Sequence, residues 1–205
     1  MPSREVPSRI VLATRNPDKV KEIRAIFRGF VLPIVGLEEY PSVSGVEETG
    51  VTLEANALLK ARHAWKAAGQ IALADDSGLF VRALGGGPGV FSSRFAGVSA
   101  TYADNVAKLL RLMEGRAWAE RGAAFICMVA LVMDEGEFKL FRGEVGGVIS
   151  EEPIGRHGFG YDPVFFHPPS RKTFAQLSRL KKNRISHRSI AFRAAREYLE
   201  ESFGL

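Results

Sequence analysis

Cysteine is almost missing from this chain. The single one, Cys127, allows no intrachain disulfide, which fits a reducing compartment. It lies in the apolar run Ala124–Val132, the setting of a small core residue rather than of a nucleophile. No apolar run approaches the roughly 20 residues that a membrane span needs, and the stretch up to Arg9 lacks the apolar segment of a secretory signal. A cytoplasmic protein is the expectation, with no membrane partner. No His/Cys pair has metal-ligand spacing, and there is no internal repeat and no low-complexity tail. The glycines from Gly85 to Gly89 are followed by no Lys-Ser/Thr and framed by no strand and helix, so they form neither a Walker loop nor a dinucleotide fingerprint.

What is present is ordinary for a globular chain: 205 residues, 46% hydrophobic, 25% charged. That length predicts a single domain over residues 1–205, with residues 1–8 as a short N-terminal extension. The net charge of +5 and the sequence pI of about 9.5 suggest an anionic partner. Charge alone does not separate a nucleotide from a nucleic acid or from an ordinary basic surface.

The hydrophobic pattern alternates strand and helix. Arg9–Thr14 reads as a buried strand, and Pro17 suits the first turn of a helix whose inner face is Val20, Ile23, Ile26 and Phe27. Lys19, Lys21, Glu22 and Arg24 fall outside that face. A second strand is expected over Phe30–Val35. After the acidic loop Ser44–Gly50, Thr52 can cap a helix from Leu53 to about Ala68, closed by Gly69. Ile71–Ala74 reads as a short strand ending at Asp75-Asp76-Ser77-Gly78. Thr101–Glu114 reads as a helix, Ala123–Met133 and Phe138–Val145 as a hairpin, and Ser186–Phe203 as a final helix. The expected fold is α/β.

Four groups of residues could carry chemistry. The loop Thr14–Lys19 opens a helix, where backbone N–H groups and the dipole favour phosphate and Lys19 adds a charge. Glu47 and Glu48 share a loop, while Asp75 and Asp76 stand where a strand is expected to end. Carboxylates gathered there repel one another unless a cation such as Mg²⁺ joins them. Lys60 follows Asn56 by one helical turn, and Arg179–Arg188 concentrates positive charge. Phe159-Gly160-Tyr161-Asp162 can stack a flat base and accept from a ring N–H. Taken singly, each is more simply read as a capped surface helix, a turn, a solvated face or a packed aromatic loop.

In this order, however, the pieces resemble one family, the inosine triphosphate pyrophosphatases acting on non-standard purine nucleotides. The matching stretches are Thr14–Lys19, Ser44–Gly50, Asn56–Ala61, Ala74–Gly78, Gly85–Gly97, Gly158–Phe166 and Ile185–Arg188, which span nearly the whole chain. Where relatives often carry tyrosines after the glycine loop, this chain has Phe91 and Phe95.

The resemblance implies an α/β fold with a long twisted mixed sheet, flanking helices and two lobes around a central cleft. It implies a homodimer that hydrolyses ITP, dITP and XTP to the monophosphate and pyrophosphate, with one or more Mg²⁺ ions per subunit. By position, Thr14, Arg15, Asn16, Pro17, Asp18 and Lys19 would hold the triphosphate, helped by Lys60. Glu47 and Asp76 would contact Mg²⁺, with Asp76 the proton acceptor, and Ser77 would contact substrate. Phe159, Gly160, Tyr161, Asp162, Lys182, His187 and Arg188 would form the base pocket. Two alternatives stand beside this reading: a related pyrophosphatase acting on modified pyrimidine nucleotides, and a basic nucleic-acid-binding module without activity. The acidic cluster counts against the second, and no stable nucleic-acid complex is expected.

Overall fold

The computed structural model describes residues 6–41, 43, 45–46 and 48–205. Its elements alternate as the hydrophobic pattern predicts. The strands are β1 (Ile10–Leu12), β2 (Ile34–Gly36), β3 (Ala72–Val81), β4 (Pro88–Gly89), β5 (Gly122–Val132), β6 (Phe138–Ile149), β7 (Phe165–His167) and β8 (Lys172–Thr173). The helices are α1 (Pro17–Ile26), α2 (Leu53–Ala68), α3 (Tyr102–Leu112), α4 (Arg179–Ile185) and α5 (His187–Phe203). The sheet is mixed: its strands run in the order β2-β1-β3-β5-β6-β7-β8, with β4 added alongside β3. β1 pairs in parallel with β2 and β3, whereas β3–β4, β6–β7 and β7–β8 are antiparallel.

The chain divides into two compact units. The first holds the described residues up to Asp76 together with Cys127–Gly143 and Arg188–Leu205. Its core is built by periodicity. Cys127, Val129 and Leu131 alternate along β5, so all three face one way. Phe192, Ala195 and Leu199 recur at helical spacing on α5, and Ile10, Leu12, Ile23, Phe27 and Leu73 complete the cluster. Cys127 is thus a buried core thiol, as its sequence context suggests. The second unit comprises Ser77–Ile126 and Glu144–His187. Its centre is aromatic: Phe125, Phe165 and Phe174 pack with ring centroids 4.5–6.0 Å apart. Arg121, 3% exposed, ties this unit internally by donating to the carbonyls of Met113, Ile149 and Ser150.

Four expectations change. The β3 strand does not stop at Ala74 but continues through Asp75-Asp76-Ser77-Gly78 to Val81. Side-chain cations neutralise the two carboxylates there, so the polar run does not break the strand. The second strand lies at Ile34–Gly36, later than the predicted Phe30–Val35. Glu22, expected on the solvent side of α1, is buried, and the charged run Arg179–Ile185 forms a short helix capped by Ser178. No helix among the described residues is long and apolar enough to cross a membrane.

Candidate active site

In the first unit, the functional groups gather around two neighbouring aspartates. Asp75 and Asp76 are consecutive in β3, and successive residues of a strand point to opposite faces. Each therefore has its own direct contacts. Asp75 is completely enclosed. Its Oδ2 meets Lys19 Nζ at 2.9 Å and Arg188 Nε at 3.4 Å. Arg188, itself 3% exposed, places Nη1 2.7 Å from Glu22 Oε2. Two acids and two bases thus form one set, neutral in sum, buried except for the half-buried Lys19. Burial works against the Asp75 charge, but Lys19, Arg188 and Lys60 outweigh it and hold the carboxyl well below the usual range. Burial likewise opposes charge on Arg188, yet Asp75 and Glu22 push its pKa upward.

Asp76 has a different environment. Asn56 Nδ2 donates to its Oδ2 at 3.2 Å, and Lys60 Nζ lies 3.3 Å from its Oδ1. The same ammonium is 2.7 Å from Glu48 Oε1. Burial raises the Asp76 pKa, and Lys60 and Lys19 only partly offset it. A carboxylate whose proton affinity is raised is better suited to accept a proton near neutral pH. The Lys60 pKa is raised as well, since Asp76, Asp75 and Glu48 overcome the opposing effect of burial.

The α1 terminus is already capped. Asn16 Oδ1 accepts from the N–H groups of Asp18 and Lys19 at 2.9 and 3.2 Å, and Pro17 has no N–H to give. The amides expected to be free for phosphate are therefore engaged by Asn16 in this state. Arg15 donates to the carbonyl of Val43, and Thr14 Oγ1 accepts from Asn16 N at 3.3 Å. Asp18 provides the acidic residue of the first turn.

A second group occupies the second unit. Gly158 and Gly160 both have positive φ, turning the chain so that Asp162 Oδ2 accepts from Phe159 N at 2.8 Å. The same oxygen accepts from Lys182, whose ammonium stands 4.8 Å from the centroid of the Phe159 ring. Lys182 is 4% exposed, an unusual place for an ammonium. His187 stacks on Phe125 at 4.6 Å with 12° between planes. Tyr161 is not a stacking surface here: it is buried, and its hydroxyl donates to the carbonyl of Ser92 at 2.8 Å. Burial pushes the Tyr161 pKa upward. Ser77 is half-buried in β3.

The predicted residues thus fall into two sets. Asn16, Lys19, Lys60, Asp76 and Arg188 belong to the first unit, and Phe159, Asp162, Lys182 and His187 to the second. Arg188, predicted beside Lys182 and His187, shares its charge with Glu22 and Asp75 instead. Glu47 lies outside the described residues. Glu48, which the sequence grouped with Glu47 but which was not assigned to the metal, stands one ammonium away from Asp76. Glu22 and Asn56 were also missed. Asn56 carried a signal, one helical turn from Lys60 on α2, but Glu22 carried none.

Residues 10–198 match the Ham1 family. The chain belongs to the Ham1 family. Curated relatives include proteins named dITP/XTP pyrophosphatase. The one from Thermoanaerobacter pseudethanolicus is 44% identical over 191 residues, covering 93% of this chain and 96% of its own. That from Geobacter sulfurreducens is 46% identical over 192 residues, covering 94% and 96%. Among solved structures, a HAM1 protein from Coxiella burnetii superposes with a TM-score of 0.87 at 42% identity, covering 94% of this chain and 98% of that one. The Ham1 protein of Staphylococcus aureus gives 0.84 at 40% identity with the same coverage. The Ham1 relationship thus extends over both units.

Proposed function

We propose that this Ham1-family chain hydrolyses the non-standard purine nucleotides ITP, dITP and XTP to the monophosphate and pyrophosphate. The observation that carries the chemistry is the Asp76 carboxylate, held by Asn56 on one oxygen and Lys60 on the other. The base preference rests on the names of the relatives and on the planar, charged group around Lys182.

Mg²⁺ fits the residues present. Lys60 Nζ lies within bonding distance of both Glu48 and Asp76, so a cation is already accommodated between two carboxylates. Their oxygens are the donors Mg²⁺ prefers, with water and phosphate completing its shell. Among the described residues no group of three or more His, Cys, Asp or Glu gathers as a metal cage, so much of that shell would come from substrate and water. We assign Asp76 and Glu48 to hold the ion. When bound, Mg²⁺ neutralises phosphate charge and lowers the pKa of a coordinated water.

The chain's own residues do the rest. Lys19 and Lys60 offset the charge of the triphosphate. Asp76 orients a water and takes its proton as the oxygen attacks the α-phosphorus. The bond from that phosphorus to the bridging oxygen breaks, and pyrophosphate leaves with the electron pair. At the base, Lys182 and His187 can donate to a 6-oxo group and Phe159 can stack the ring. Adenine offers an amino donor there, leaving buried donors unpaired. Arg188 would have to leave Glu22 or Asp75 to join them.

The nucleic-acid-binding alternative gains nothing from this arrangement, because Lys19, Lys60, Lys182 and Arg188 face carboxylates within their units rather than forming a basic stripe. A homodimer in the cytoplasm is part of the same proposal, and its mass in solution checks the dimer. Pyrophosphate release from ITP, XTP, GTP, ATP and a modified pyrimidine triphosphate, with and without Mg²⁺, tests the activity. Release from ITP and XTP that needs Mg²⁺ is expected. Equal release from all substrates, or none, would contradict the proposal.

A further inference from the structure

Asn56 is entirely enclosed, on the first turn of α2, and both ends of its amide are engaged. Its Oδ1 accepts from Gly50 N at 2.8 Å, and its Nδ2 donates to Asp76 Oδ2 at 3.2 Å. The orientation is fixed by chemistry: a backbone N–H can only donate and a carboxylate only accept. One side chain therefore links the acidic loop to the strand carrying Asp76.

Two further observations show how closely this link is built. A Cβ on Gly50 would lie 2.5 Å from Asn56 Oδ1 and 2.9 Å from Ala55 Cβ, so only glycine permits the approach. Glu48, two residues earlier, reaches Lys60, whose ammonium also meets Asp76 Oδ1. The Asp76 carboxylate is thus held at both oxygens, Oδ2 by Asn56 and Oδ1 by Lys60. Asn56 is the one of these two that carries no charge.

We propose that Asn56 is a positioning residue for the reaction. It orients the Asp76 carboxylate and, through Gly50, keeps Glu48 within reach of the same site. This rests on the assignment of Asp76 and Glu48 given above. Aspartate at this position would keep the acceptor for Gly50 N but remove the donor to Asp76. Alanine would remove both. Glutamine is one methylene longer than this fully enclosed position holds.

The test compares Asn56→Asp, Asn56→Ala and Gly50→Ala with the parent. Melting temperature, kcat and KM for ITP are measured, together with Mn²⁺ affinity without nucleotide. Asn56→Asp should lower kcat by about 10–10²-fold and leave KM within about two-fold, because the phosphate and base contacts are untouched. Asn56→Ala and Gly50→Ala should weaken Mn²⁺ binding by about five-fold or more, since both release the loop carrying Glu48. Gly50→Ala keeps the test decisive should Asn56→Ala fail to fold. A well-folded Asn56→Asp protein with parental kcat would overturn the positioning role. So would Mn²⁺ affinity unchanged in Gly50→Ala. If the parent itself released no pyrophosphate, the proposed function and the positioning of Asp76 for it would fall together, while the Mn²⁺ measurement would still show whether Asn56 and Gly50 hold Glu48 in the site.

Discussion

At the scale of single residues, Asp75 and Asp76 are chemically identical neighbours that the fold treats in opposite ways. Asp75 is surrounded by Lys19 and Arg188 and held ionised, whereas burial raises the proton affinity of Asp76. Asp75→Asn should therefore be the structural lesion. It leaves Lys19 and Arg188 short of counter-charge in a buried set, which costs about 3–5 kcal/mol. Asp76→Asn should be the functional one. Asparagine can still accept from Asn56, and Lys60 keeps Glu48, so thermal melting should show a midpoint at or above the parent's. Turnover should drop by about 10²–10⁴-fold with the loss of the proton acceptor. A reversed pattern, with Asp76→Asn unstable and Asp75→Asn merely slow, would mean that the two roles are exchanged. The identity of the partner acid was not legible at this scale. Glu47 and Glu48 are adjacent in an acidic loop, and nothing in their order says which one reaches inward; Glu48 contacts Lys60, and Glu47 lies outside the described residues.

At the scale of elements, the clearest signals were those with local chemistry. Thr52 caps α2, whose bounds Leu53–Ala68 are those predicted, and Gly69 closes it in the left-handed conformation. Thr101 opens α3 with a capping box. The β3 strand was misread because two aspartates followed by Ser-Gly resemble a turn; the cations beside them come from other elements, α1, α2 and α5, from 16 to 113 residues away. Glu22 was misread for a similar reason, its partner Arg188 being 166 residues distant. The turn at Gly158–Asp162 makes its own prediction. A Cβ on Gly158 would lie 1.9 Å from Asp162 Oδ2, and φ there is +75°, whereas Gly160, at +61°, has nothing within 4 Å. Gly158→Ala should displace Asp162 from Phe159 and Lys182, reducing both stability and the preference for ITP over ATP. Gly160→Ala should cost only the backbone strain, about 1–2 kcal/mol. Equal effects of the two substitutions would show that the Asp162 contacts do not matter.

At the scale of the whole molecule, the buried carboxylates predict an acid response. Asp75 has a folded pKa below its ordinary value of 3.8. Its contribution to stability is therefore fully present above that value and lost as pH falls through the window below it. Asp76, with a raised pKa, has the opposite sign: it favours the fold at low pH, and that contribution is lost as pH rises from 3.8 through its folded value. Asp75→Asn should flatten the fall in stability below about pH 4, measured by denaturant titration at several pH values. Asp76→Asn should not. An unchanged acid slope in Asp75→Asn would assign acid lability to other groups.

The proposed division of labour between the two sets of residues is likewise a claim about the whole chain, and the sets themselves fall in different units. The order of short motifs pointed to the family, while the pairing of Lys19, Lys60 and Lys182 with their carboxylates depended on three-dimensional packing. The most direct test of the account is kcat/KM for ITP, XTP, GTP and ATP, followed by pyrophosphate release, in the parent and in Lys19→Ala, Lys60→Ala and Lys182→Gln. Lys19 and Lys60 should see the triphosphate that all four substrates share, so each substitution should lower all four values by a similar factor. Lys182→Gln should instead reduce the ratio of ITP to ATP by about 10–10²-fold, the equivalent of one charged hydrogen bond. If Lys182→Gln lowered every substrate equally while Lys19→Ala or Lys60→Ala changed the ratio, the assignment of phosphate to the first unit and base to the second would be contradicted.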